Sequence, residues 1–86
     1  MQGLIFLDIG WDDYLYWQTE DKRTLNKINK LIKDIMRDPY AGLGHPEPLK
    51  HALSGKWSRE IDSKNRLVYC VLEDGTVAIY QCRGHY

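Results

Sequence analysis

Little in this chain would tie it to a disulfide framework, a metal or a membrane. Only two cysteines occur among its 86 residues, Cys70 and Cys82, and both sit inside apolar runs without cysteine or histidine at zinc-ligand spacing. Buried thiols are therefore expected, and a reducing compartment fits. No apolar run approaches the roughly 20 residues of a membrane span. The stretch Leu4 to Leu7 is too short for a signal-peptide core and has no basic residue before it. A cytoplasmic protein with no membrane partner is expected. An excess of charge is missing too: twelve Lys and Arg balance twelve Asp and Glu. Without a basic excess the chain lacks the non-specific attraction that holds nucleic acid, so any RNA or DNA contact must be local. There is no internal repeat, no low-complexity segment and no phosphate-binding glycine loop. The length fits one domain, residues 1–86, large enough to fold without metal or disulfide help, which becomes usual only below about 40 residues.

What is present is a clear alternation of patterns. Leu4-Ile5-Phe6-Leu7 reads as a short buried strand, with Asp8 available as a cap for the element that follows. Trp11, Tyr14, Leu15 and Gln18 then share one helical face, with Tyr16 and Trp17 beside it. Aromatics at that spacing are core residues more often than a base-stacking platform. After a turn at Thr19 to Asp21, residues Leu25, Ile28, Leu31, Ile32, Ile35 and Met36 recur at three- and four-residue steps and define a second amphipathic helix ending near Pro39. Its lysines, Lys27, Lys30 and Lys33 among them, form either a solvated face or an RNA-facing one.

The segment Asp38 to Pro48 carries all three prolines and two glycines, which predicts a long ordered loop of the kind that holds functional groups on a rigid scaffold. Three strand-like runs follow, Ala52 to Ile61, Asn65 to Leu72 and Thr76 to Cys82, joined by segments of hairpin-turn composition. The order predicts an α+β domain: a short N-terminal strand and two helices packed on one face of a mostly antiparallel four-stranded sheet, whose opposite face stays free.

Three features carry chemistry. Glu47 lies between Pro46 and Pro48, so its carboxylate is presented in a restricted direction, as suits a general base; an ordinary loop glutamate is the plainer alternative. Arg59 and Arg66 lie on adjacent strands of one hairpin. There they would grip anionic oxygens, unless each pairs with a nearby acid such as Glu60 or Asp62. The last four residues, Arg83-Gly84-His85-Tyr86, follow an apolar strand. An imidazole tethered there is held still enough to move a proton, although a terminal histidine is commonly a solvated bystander. Together these supply a base, a stabiliser for a phosphorane and an acid, the set required to cleave RNA through its own 2′-hydroxyl without metal or cofactor. Asp8, Asp12 and Asp13 are the only close group of carboxylates, and helix capping accounts for them.

The chain resembles the YoeB toxins of the RelE superfamily. The resemblance rests on Asp12-Asp13-Tyr14-Leu15-Tyr16-Trp17, Ile32-Lys33-Asp34, Pro46-Glu47-Pro48-Leu49-Lys50-His51, Leu53-Ser54-Gly55, Trp57-Ser58-Arg59, Arg66-Leu67-Val68-Tyr69 and His85-Tyr86. It implies a RelE-like fold and a ribosome-dependent messenger RNA endonuclease acting in the decoding site. It also implies inhibition by a YefM-type antitoxin, with operator DNA reached only through that antitoxin and homodimerisation left open. The general base would fall on Glu47, the phosphate-stabilising arginine on Arg66 and the general acid on His85, with Lys50, Arg59 and Tyr86 binding substrate. Lys27, Lys30 and Lys33 are the candidate ribosome contact. Gly84 departs from those members that have an aromatic residue before the terminal His-Tyr, and glycine gives the tail added backbone freedom. The rival reading is a non-catalytic ParE-like toxin or interaction module, which would have no use for the acid-base set.

Overall fold

The computed structural model describes residues 3–86. Strand β1 (Leu4–Phe6) leads directly into helix α1 (Asp8–Glu20), and α2 (Lys22–Arg37) follows after one residue. The long loop then delivers β2 (Glu47–Pro48), a 3-10 turn at His51–Leu53, and the strands β3 (Trp57–Glu60), β4 (Arg66–Val71) and β5 (Val77–Gln81). The sheet order is β1-β5-β4-β3-β2, antiparallel except for the parallel β1–β5 pair at one edge.

Asp21 makes the sharp corner between the helices. Its Oδ1 accepts the main-chain N–H groups of Arg23 and Thr24, and its Oδ2 accepts the Thr24 hydroxyl, satisfying donors that the first turn of α2 leaves open. These bonds, that from the Thr24 hydroxyl foremost, hold the Asp21 carboxyl below its ordinary pKa. The apolar stripe of α2, with Ile28, Leu31, Ile32 and Ile35 buried, packs with Trp17 of α1 against Leu67, Tyr69, Val77 and Ile79 of the sheet. Gly10 lets α1 approach β5 closely: a Cβ there would lie 2.5 Å from the Ile79 carbonyl oxygen.

Among the described residues the α+β class and the single helical layer match the expectation, with five differences. The sheet has five strands rather than four, because the loop ends in the two-residue edge strand β2, where a proline costs no ladder bond. The run from Ala52 begins as the 3-10 turn and enters the sheet only at Trp57. Strand β1 is not buried: Leu4 and Ile5 are about two-fifths exposed, since β1 is the other edge strand. Asp8 forms no side-chain cap and instead occupies the first turn of α1. Of the α1 aromatics only Trp17 is fully in the core. Trp11 and Tyr16 remain exposed, Trp11 within a surface cluster with Phe6 and Tyr14.

Candidate active site on the open sheet face

Strand alternation assigns each candidate residue to a face. Across β3 and β4, Arg59 pairs with Leu67 and Glu60 with Arg66, so the two arginines point to opposite sides of the sheet. Arg59 faces the helices and is fully buried. Its Nη1 donates to Asp34 Oδ2 at 2.7 Å and to the Leu43 carbonyl at 2.8 Å. Nη2 donates to the carbonyls of Asp38 at 2.8 Å and Ala41 at 3.4 Å, and Nε donates to the Tyr69 hydroxyl at 3.0 Å. The Tyr69 hydroxyl in turn donates to the Pro39 carbonyl. This arrangement corrects the substrate-binding expectation for Arg59, whose guanidinium is spent on internal partners that fasten the long loop to the core. Its acid is Asp34, not Glu60 or Asp62. The bond from Arg59, then the Leu43 N–H, draws the Asp34 carboxyl down to about 2.

The loop so anchored presents Glu47. Gly44 closes against the sheet by accepting the Glu60 N–H at 2.7 Å with φ of 75°, where a Cβ would lie 2.9 Å from the Glu60 carbonyl oxygen and 3.2 Å from Arg59 Cβ. Three residues later Glu47 pairs across β2–β3 with Ser58 and is exposed. A cleft of about 330 Å³ opens here, lined by Glu47, Lys50 and Tyr86 together with Pro48, Leu49 and His51. The Tyr86 hydroxyl reaches within 3.4 Å of Ser58 Oγ.

The tail is held at several points. Trp17 Nε1 donates to the Cys82 carbonyl at 2.8 Å, and the Cys82 N–H donates to Asp13 Oδ2 at 3.1 Å. Burial raises the Asp13 carboxyl above its ordinary pKa, against the pull of the Cys82 N–H and Arg83. The Arg83 guanidinium lies 3.7 Å over the Tyr16 ring, a cation–π contact. Gly84, with φ of 82°, gives its carbonyl to the Arg66 N–H at 2.9 Å and its own N–H to Asn65 Oδ1 at 2.7 Å. The freedom expected of a glycine is thus taken up by two hydrogen bonds. His85 is exposed, with Nδ1 3.0 Å from the Tyr86 main-chain oxygen and its ring 4.7 Å from the Tyr86 ring. Arg66 as a residue is half-buried, and its guanidinium donates through Nη1 to the carbonyls of Asp62 and Asn65.

Glu47, Arg66 and Tyr86 therefore share the open face, with Lys50 at the cleft and His85 on the same tail, while Arg59 lies on the other side. Lys27, Lys30 and Lys33 are exposed on α2, on the helical layer away from this face. Both cysteines are free thiols: Cys82 is buried and Cys70 half-buried. Among the described residues no group of three or more His, Cys, Asp or Glu converges as a metal site, and no helix is long and apolar enough to cross a membrane. Sequence reasoning missed Ser58, Asp34 and Asn65 as supporting residues. Their partners lie up to 28 positions away, and only a turn-forming Asn65 was visible locally.

Known proteins match nearly the whole chain in sequence and in fold. Residues 6–86 match the YoeB-like toxin of bacterial type II toxin-antitoxin systems. The Toxin YoeB of Escherichia coli K12 is 58% identical over 83 residues, covering 96% of this chain and 98% of that protein. The Mycobacterium tuberculosis Toxin RelK is 44% identical over the full length of both. Among solved structures, a YoeB/ParE toxin from Agrobacterium tumefaciens superposes with a TM-score of 0.96 at 45% identity, covering 99% of this chain and 100% of that one. The YoeB of a heterotetrameric YoeB-YefM complex from Staphylococcus aureus gives 0.89 at 40% identity, covering 100% and 99%. With this breadth of sequence and structural agreement, the chain belongs to the YoeB family of toxins of bacterial type II toxin-antitoxin systems.

Proposed function

We propose that the protein is a ribosome-dependent messenger RNA endonuclease that cleaves its substrate in the decoding site and thereby stops translation. The observation that carries this reading is the company of Glu47, Lys50 and Tyr86 in one cleft, beside a tail whose Gly84 is hydrogen-bonded to Arg66. Glu47 would take the proton of the ribose 2′-hydroxyl. The freed 2′-oxygen attacks the adjacent phosphorus, the bond from phosphorus to the 5′-oxygen breaks, and His85 protonates that leaving oxygen. Arg66 balances the added negative charge of the phosphorane, while Lys50 and Tyr86 hold the scissile phosphate or its neighbouring bases. To serve as the acid, His85 must carry a proton on Nε2, the ring nitrogen left free for the leaving oxygen when Nδ1 is engaged with the Tyr86 main-chain oxygen. The step uses no metal or cofactor.

Zero formal net charge supports delivery of the RNA by a larger host. The ribosome would fix the messenger near in-line geometry, a positioning effect that supplies roughly 7–11 kcal/mol. Lys27, Lys30 and Lys33 are the proposed ribosomal RNA contact, placed to bind the host while the opposite face meets the messenger. A YefM-like antitoxin would restrain the toxin by folding over the open face, as the Staphylococcus aureus relative is found with YefM. Operator DNA would be reached through that antitoxin, and the site of action is the cytoplasm. The test compares cleavage of one RNA free and bound to ribosomes, with a 2′-deoxy substitution at the cut site as control. Rapid cutting of only the ribosome-bound, ribose-containing RNA is expected. Equal cutting of free RNA would reject delivery, and cutting of the deoxy RNA would reject 2′-oxygen attack.

A further inference from the structure

The turn between β3 and β4 joins two groups that the proposed chemistry requires at a fixed separation. Asp62 Oδ1 accepts the N–H groups of Lys64 and Asn65, both at 2.8 Å. Asn65 Nδ2 donates to both Asp62 carboxylate oxygens at 3.1 Å. Partial burial pushes the Asp62 carboxyl up, but these bonds, with the nearby Arg66 charge, outweigh it and hold the group below its ordinary pKa. With its Nδ2 fixed on Asp62, Asn65 presents Oδ1 to the tail, where it accepts the Gly84 N–H at 2.7 Å. Its main-chain oxygen accepts Arg66 Nη1 at 3.1 Å, and the neighbouring Asp62 carbonyl accepts the same nitrogen at 2.6 Å. One residue thus touches both the segment that carries His85 and the guanidinium of Arg66. Without the side-chain bond, Gly84 would keep only its carbonyl bond to the Arg66 N–H. Nothing lies within 4 Å of a Cβ position at Gly84 to steady it by packing.

We propose that Asn65 is a positioning residue: its side-chain amide sets the tail bearing His85 through Gly84, while its main-chain oxygen orients the Arg66 guanidinium. The proposal rests on the acid-base reading above. It explains how this chain keeps a glycine before His85 without losing the alignment of the imidazole. An aspartate at position 65 would still accept from Gly84 but would face Asp62 with like charge. Exchanging the two residues returns one donor and one acceptor to the pair.

The experiment compares wild type, His85→Ala, Asn65→Ala, Asn65→Asp and the Asp62→Asn/Asn65→Asp exchange. Each acts on ribosome-bound messenger whose leaving atom is either the 5′-oxygen or a 5′-sulfur. A sulfur leaves without a proton, so a defect that acts through the acid is relieved by it. Asn65→Ala is expected to lower kcat roughly 10- to 100-fold on the oxygen messenger with KM little changed, the scale of a misplaced group. On the sulfur messenger it should approach wild type, as should His85→Ala. Asn65→Asp should be impaired and the exchange should recover most of the lost rate. In the purified proteins, the Gly84 amide should exchange its hydrogen faster in Asn65→Ala. That readout depends on the tether and not on the chemistry, and thermal melts identify any variant that fails to fold. Unchanged exchange at Gly84, or an Asn65→Ala defect equal on both messengers, overturns the proposal. An equal defect of His85→Ala on both messengers overturns His85 as acid, and the proposal with it.

Discussion

Removing the Arg59 guanidinium should damage the fold rather than the binding of RNA. The side chain is fully buried and makes five hydrogen bonds, one of them to the Asp34 carboxylate, so Arg59→Ala would strand an anion and several carbonyl oxygens at once. Breaking one side of a buried pair costs about 3–5 kcal/mol. Asp34 keeps its contact with Arg37 at 3.1 Å and the Leu43 N–H, and its side chain is 13% exposed, which favours the lower half of that range. A domain of this length has a total stability of roughly 4–13 kcal/mol, so the variant should lose a quarter or more of it. At about 4–8 °C per kcal/mol, its melting temperature should fall by at least about 12 °C. Arg59→Lys keeps the charge but not the planar fork and should fall between the two. The Arg59→Met/Asp34→Leu pair should recover part of the loss, because no buried charge is then left alone; Arg37, which also loses Asp34, is exposed to solvent. The assay is equilibrium urea unfolding followed by tryptophan fluorescence in a His85→Ala background. A stability within about 1 kcal/mol of the parent for Arg59→Ala, accompanied by lost RNA binding, would refute the structural role and return Arg59 to the substrate site.

Three further outcomes are expected. Because the folded pKa of Asp34 lies near 2, below its ordinary 3.8, the stabilisation from its carboxylate is complete above about pH 4 and is lost as pH falls toward 2. Asp34→Asn should flatten that acid limb in a stability-versus-pH series. Burial pushes the Cys82 thiol up to about 12 from 9.0, so the contribution of the neutral thiol is present below pH 9 and is lost as pH rises toward 12. At pH 8, alkylation followed by mass spectrometry should modify half-buried Cys70 first and reach Cys82 only on unfolding. Gly10→Ala would force a methyl to within 2.5 Å of the Ile79 carbonyl oxygen and should destabilise the protein by about 1–3 kcal/mol in thermal unfolding.

Much of this structure was legible from local pattern. The three-and-four spacing of Ile28, Leu31, Ile32 and Ile35 gave α2 and its buried face, and the turn residues at Asp62–Asn65 and Glu73–Gly75 gave the hairpins. Strand β2 was not legible, because two residues between prolines carry no alternation and become a strand only through β3. The exposure of β1 was hidden for a related reason: an apolar run does not say whether its strand lies at an edge. The placement of Arg59 turned on register. One residue of offset between Arg59 and its neighbour Glu60 decides which of them shares a face with Arg66, and no composition rule supplies that offset. The tail was legible as a motif, whereas its attachment through Trp17, Asp13 and Asn65 depends on side chains up to 69 positions distant.

The central claim, acid-base cleavage by Glu47 and His85 on a ribosome-held messenger, is tested most directly by mapping new messenger 5′ ends. Translating ribosomes would be mixed with the wild-type protein, Glu47→Ala or His85→Ala. The expected result is cleavage at decoding-site codons by the wild type, with either variant slowed roughly 10²- to 10⁴-fold while its melting temperature is unchanged. No new 5′ ends with the wild type, or wild-type rates from folded Glu47→Ala and His85→Ala, would contradict it.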